Sequence, residues 1–210
     1  MNKSNIKRKT IENDEKYLRQ KSMSVDLKND NIEGTLTILK EFCNKNSVFA
    51  LAPVQIGIPK RIIYIKNSSS DMNKNFIEGY DESIIYINPK IINSYGTTYF
   101  LEGCASCKYE KNGESIYYVS LIKRPYKIDV EYQDINGAKK SKTIEGFEAT
   151  VFSHEYDHLD GILHIDLAEE VIEMNSSEMK DFGTKHPYNI VSKTGKYKQE
   201  INAKDNFENS

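Results

Sequence analysis

Two histidines four residues apart, His154 and His158, with Glu155 beside the first, constrain this chain more than any other feature. Positions i and i+4 share one face of an α-helix, so two imidazoles there can reach one metal ion while the carboxylate reaches water beside it. The pattern demands a helix, and residues 147–159 carry a helical period around it. The helix must pack against something, and the other strong signals are strands. Residues 61–66 and 83–88 are rich in β-branched and aromatic side chains. Residues 116–122 and 126–132 alternate and are expected to pair with each other. Asn136-Gly137 marks a two-residue hairpin turn returning through residues 139–144. A first helix is predicted where Ile32, Leu36, Leu39 and Cys43 recur on one face behind the capping run Asn29-Asp30-Asn31. Residues 47–59, broken by Pro53, Gly57 and Pro59, read as an irregular loop with polar Gln55 in apolar company, and residues 67–79 as a polar loop. Residues 176–182 suit a short helix capped by Ser176 or Ser177 and stopped by Gly183. The expected class is α+β: antiparallel strands packed around a central metal-binding HExxH helix.

A chain of 210 residues suits one domain over 13–192, with polar, aperiodic ends at 1–12 and 193–210 expected to be flexible. With 29 Lys and Arg against 31 Asp and Glu, it offers no basic surface for direct binding of nucleic acid or of a membrane. No apolar run nears the ~18 residues of a transmembrane helix, and no apolar segment of a secretory signal follows the basic start. Three cysteines, an odd number, argue against a disulfide framework. Together these readings suggest a reduced bacterial cytoplasm, with an organelle of a eukaryote as the alternative.

Two ligands do not make a metal site, and three candidates compete for the third. His164 extends the pattern to H-E-x-x-H-x-x-G-x-x-H with Gly161 at the turn, the spacing of metzincin endopeptidases. A carboxylate from Glu169, Glu170 or Glu173 is the second, and Cys104 the third. A metzincin needs a methionine in a tight turn beneath its metal, and Met174 and Met179 lie in charged sequence with no such turn.

The segments Ala50-Leu51-Ala52-Pro53-Val54-Gln55, Glu102-Gly103-Cys104-Ala105-Ser106 and His154-Glu155-Tyr156-Asp157-His158-Leu159-Asp160-Gly161 follow the order and separations of three motifs, G-L-A-A-x-Q, E-G-C-L-S and H-E-x-D-H-L-x-G. By them the chain, from about residue 15 to about residue 192, resembles peptide deformylases. The resemblance implies one divalent metal ion per chain, natively Fe²⁺ with Zn²⁺ or Ni²⁺ as substitutes, held by Cys104, His154 and His158. It implies that Glu155 is general base and acid, and that the Gln55 amide and the Ala105 backbone N–H donate to an oxyanion. It implies that Ala50 and Leu51 meet the substrate, and that Glu102 pairs with Arg124 to steady the Cys104 strand; Thr150 and Val151, one turn before His154, lie on the face that lines a methionine pocket or packs as core. His164, at a position commonly aromatic or apolar in the family, is then no ligand. The implied substrate is the formyl-methionyl end of nascent polypeptides, met near the ribosome by a monomer, with formate as product.

Four positions depart from the pattern: Ala50 for Gly, Pro53 for Ala, Ala105 for Leu, and Cys107 just after the second motif. The first three bear on substrate contacts and leave metal and base intact. Cys107 admits a closed zinc site of Cys104, Cys107, His154 and His158 in a non-catalytic or differently specific relative. In an extended strand, however, residues three apart point to opposite faces.

Overall fold

In the computed structural model, which describes residues 6–66, 83–185 and 189–197, one long strand organises the rest. This strand, β3, runs Ser83–Lys111. It pairs antiparallel with β2 (Ile62–Lys66), β5 (Lys127–Gln133), β8 (Asn189–Lys196) and β4 (Glu114–Arg124). β1 (Ala50–Leu51) extends the sheet beyond β2, β6 (Lys139–Glu145) beyond β5 and β7 (Glu170–Asn175) beyond β4. Pro89 suggests a strand end at Asn88, yet β3 continues past it. Asn88 takes φ +50°, and its carboxamide accepts from Val25 N–H at 2.8 Å while donating to Gln133 Oε1 at 2.8 Å. The register shifts between Ile87 and Lys90, so Pro89, with no N–H to offer, falls where the ladder is already broken.

The expected pairing of residues 116–122 with 126–132 does not occur. β4 lies between β3 and β7, and β5 between β3 and β6. Alternation marks a half-buried strand; it carries no information about which strand lies alongside. The Asn136-Gly137 hairpin is present, with a longer loop than two residues. Gln133 pairs with Lys139, Gly137 takes φ +82°, and the Asp134 carboxylate accepts from the N–H of Asn136 and of Ala138 at 2.9 Å each.

The helices follow their apolar faces. In α2 (Ile32–Lys45), Asn31 caps by accepting from Gly34 N–H at 2.9 Å, and Leu39, Phe42 and Cys43 pack with Leu51, Ile62, Tyr64 and Ile87. α3 (Phe147–Leu159) has the boundaries its period predicts, and it drives Ala149, Phe152 and Leu159 into a second cluster with Ile63, Tyr86, Ile128 and Val130. α1 (Ile11–Leu18) begins inside the run read as a flexible end. Just before it, Lys9 N–H donates to Gln55 carbonyl at 2.7 Å. α4 (Ser176–Lys185) is capped by Asn175 rather than by a serine. Asn175 Oδ1 accepts from Ser177 and Glu178 N–H at 2.9 Å each, Glu178 Oε2 accepts from Asn175 N–H at 2.8 Å, and the helix runs on past Gly183. Gly161 takes φ +74°, and a Cβ there would lie 2.2 Å from the Arg19 carbonyl, so this glycine lets the chain leaving α3 cross the end of α1. The polar loop at 67–79 lies outside the described residues. No described helix is long and apolar enough to cross a membrane.

Candidate metal centre

α3 and β3 meet at the three residues expected to bind metal. Among the described residues, Cys104, His154 and His158 are the one group of three or more such side chains whose ligand atoms all lie within 4.8 Å of one another. The helix contributes both imidazoles from one face, with ring centroids 5.0 Å apart. His154 Nδ1 is 2.9 Å from Glu102 Oε2, which leaves Nε2 for the centre. His158 turns Nε2 inward, 3.4 Å from Cys104 Sγ. Bonds of ~2.3 Å to sulfur and ~2.0 Å to nitrogen at a tetrahedral angle would put those atoms about 3.5 Å apart, so the donor set fits one divalent ion and leaves a fourth position open.

Gln55 faces the same centre. It is buried at the end of a short 3₁₀ turn, Pro53–Ile56, and its Oε1 accepts from Ala52 N–H at 3.1 Å. Its Nε2 then points to Ser106 Oγ at 3.2 Å, His158 Nε2 at 3.1 Å and Cys104 Sγ at 3.4 Å. Pro53 occupies the first position of the turn, where a backbone N–H would have no partner within the turn. Glu155, next to His154, is buried, and its Oε2 has no hydrogen-bond partner. Burial pushes its carboxyl above the usual range, against the pull of the two histidines. Burial opposes ionisation of Glu102 as well, yet the Arg124 charge and hydrogen bonds outweigh it and hold that carboxyl far down.

Behind these donors lies a buried ionic clamp. Arg124 on β4 donates through Nε and Nη2 to both oxygens of Glu102 on β3, at 2.7 and 2.8 Å, and through Nη1 to Asp157 on α3 at 2.5 Å. Asp157 has no role in the sequence reading; its place between the two histidines was the available signal. Ser106, against the Gln55 amide, is likewise new. Cys104 and Ala105 sit where β3 loses register with β4: Gly103 pairs with Val119 and Lys108 with Tyr117, so Ala105 is exposed and stands outside the ladder.

His164 is close but is not among the donors. Its ring stacks 5.7 Å from that of His154, its Nδ1 lies 2.9 Å from Ser120 Oγ, and burial lowers its pKa to about 4. Glu169 meets Tyr99, 3.0 Å away, and Glu170 and Glu173 lie along β7. Cys107 is buried near Cys104 yet is not in the donor group either. Of the residues expected to meet substrate, Val151 lines a small cleft with Phe49, Ile84, Tyr86 and Glu148. Thr150 is buried, Ala50 is partly exposed, and the Leu51 side chain is wholly enclosed in the α2 cluster, so only its backbone is available to a ligand.

A family model described as polypeptide deformylase matches residues 7–173. The chain is 35% identical over 160 residues to peptide deformylase 2 of Clostridium acetobutylicum, covering 76% of this chain and 93% of that one. It is 36% identical over 173 residues to the peptide deformylase of Finegoldia magna, covering 80% and 95%. Among solved structures, a probable peptide deformylase from Synechococcus phage S-SSM7 superposes with a TM-score of 0.63 at 31% identity, covering 78% of this chain and 99% of the other.

Proposed function

The chain belongs to the polypeptide deformylase family, and from that premise we infer that it hydrolyses the formyl amide on the N-terminal methionine of new polypeptides, using Glu155 and a metal ion held by Cys104, His154 and His158. The observation that carries this reading is the convergence of one thiol and two imidazoles beside a buried carboxylate with an unpartnered oxygen. A divalent ion in that set supplies Lewis acidity, making water nucleophilic near neutral pH. The softness of the thiol and imidazole donors suits Fe²⁺, the expected native ion, or Zn²⁺ or Ni²⁺.

The protein's own groups do the rest. Glu155 takes a proton from the attacking water and returns it to the leaving amine, a role worth ~10²–10⁴ in rate. Gln55 Nε2 and the Ala105 N–H donate to the oxygen that gains charge as the formyl carbon becomes tetrahedral, each worth roughly 3–4 kcal/mol in such a site. The products are formate and a free α-amine. Glu102 sets His154 through Nδ1, and Arg124 fixes Glu102 against α3. Val151 and Thr150, one turn before His154 on α3, are assigned to the methionine side chain, and the backbone of Ala50 and Leu51 to the peptide. The catalytic unit takes in the 13–192 span together with the start of α1 at Ile11 and the end of β8 at Lys196, and it acts as a monomer in a bacterial cytoplasm, in passing contact with the ribosome.

Formate release from formyl-Met-Ala-Ser, by protein purified without oxygen and loaded with Fe²⁺, Ni²⁺ or Zn²⁺, tests this. Formate and free Met-Ala-Ser in equal amounts are expected. No formate with any of the three, at one metal per chain, would overturn the assignment.

A further inference from the structure

Cys107 has no place in that mechanism, yet it is fully buried beside a proposed ligand. Regular strand geometry would send Cys104 and Cys107 to opposite faces. The strand is not regular here: the pairs Gly103–Val119 and Lys108–Tyr117 leave residues 104–107 opposite Tyr118 alone. This bulge brings both sulfurs to one side. Cys104 and Cys107 share one buried cluster with Leu18 and Leu163. Cys43, the third thiol, lies in a different cluster with Leu39 and Leu51.

We propose that Cys104 and Cys107 form a redox modification site, in which a peroxide converts the pair to a disulfide that takes the sulfur ligand from the metal and switches the enzyme off reversibly. The switch rests on Cys104 being a ligand, as proposed above. The Cys104 thiolate sulfur attacks one oxygen of hydrogen peroxide; the O–O bond breaks, hydroxide leaves and takes a proton from solvent to become water, and Cys104 becomes a sulfenic acid. The Cys107 sulfur then attacks the Cys104 sulfur; the S–O bond breaks, the S–S bond forms, and the Cys107 thiol proton leaves with the hydroxyl as a second water. Two electrons pass from the two sulfurs to the peroxide. A disulfide sulfur carries no thiolate charge and no longer holds a divalent ion. Cys107 also intercepts the sulfenic acid before it reaches the sulfinic and sulfonic stages, which thiols do not reverse.

The test uses the full chain loaded with redox-inert Zn²⁺, treated with equimolar hydrogen peroxide and then alkylated. The expected result is loss of two hydrogen atoms in the intact mass, a 104–107 peptide with an internal disulfide, and release of the metal to a chelating dye. Dithiothreitol with fresh Zn²⁺ restores binding. In C107A, Cys104 gains oxygen atoms instead, and dithiothreitol does not restore the metal. If C107A fails to fold, the peptide map of the parent decides alone. Oxygen addition at Cys104 with Cys107 still a free thiol, or a bridge through Cys43 or between chains, would overturn the proposal. A 104–107 disulfide with the metal retained would overturn the ligand role of Cys104, and the switch with it.

Discussion

The two histidines of the centre are oriented in different ways. His154 is held through Nδ1 by Glu102, whereas His158 leaves a buried Nδ1 with no partner and is aimed by helix geometry and packing. His164 is held through Nδ1 by Ser120. H164F therefore retains one metal per chain and keeps formate release within a few-fold of the parent, whereas C104A loses the ion; metal analysis after gel filtration reads both. Loss of the ion in H164F would restore the third-histidine reading. A second residue-scale expectation concerns Cys43, whose thiol burial lifts from about 9 to about 12. Above pH 9 the unfolded chain releases this proton and the folded chain does not, so the contribution is intact below pH 9 and is lost as pH rises toward 12. Between pH 7 and 10 the parent should lose about 1.4 kcal/mol more unfolding free energy than C43A, measured by urea titration at each pH. At this scale much was legible in the sequence: residue type and spacing marked the two histidines and Glu155. Choosing Cys104 over His164 took the motif around it, since ligand spacing alone left both open. Asp157 and Ser106 escaped notice because their partners, Arg124 and Gln55, are remote in sequence.

Between elements, Arg124 is the joint. It ties β4 to the Glu102 segment of β3 and to α3, so both elements that carry the proposed metal ligands are referred to one guanidinium. Removing it strands two buried carboxylates, and R124M should cost roughly 3–5 kcal/mol in urea unfolding at pH 7. A cost within that of an ordinary surface substitution would show that the carboxylates find water instead. Period and capping made α2 and α3 readable, to the residue in the case of α3. Strand partners were not readable, because alternation reports one buried face and nothing about the neighbour. The course of β3 was hidden for a related reason. Asn88 and Pro89 carry local stop signals, and the Val25 and Gln133 contacts that let the strand continue come from distant segments. The bulge at residues 104–107 was hidden likewise, as its register depends on β4.

Over the whole molecule, the family match ends at residue 173, while α4 and β8 continue the fold beyond it, β8 by pairing with β3. The proposed site draws on the turn at Gln55, the bulge of β3 and the helix α3, all within the matched span. Its chemistry depends on one group that holds neither the metal nor the fold, the Glu155 carboxylate. The decisive measurement is formate release and metal content on the same sample of metal-loaded E155Q. The account expects the metal to stay at one per chain while turnover of formyl-Met-Ala-Ser falls by ~10²–10⁴. Turnover at the parent rate with the metal in place would contradict it.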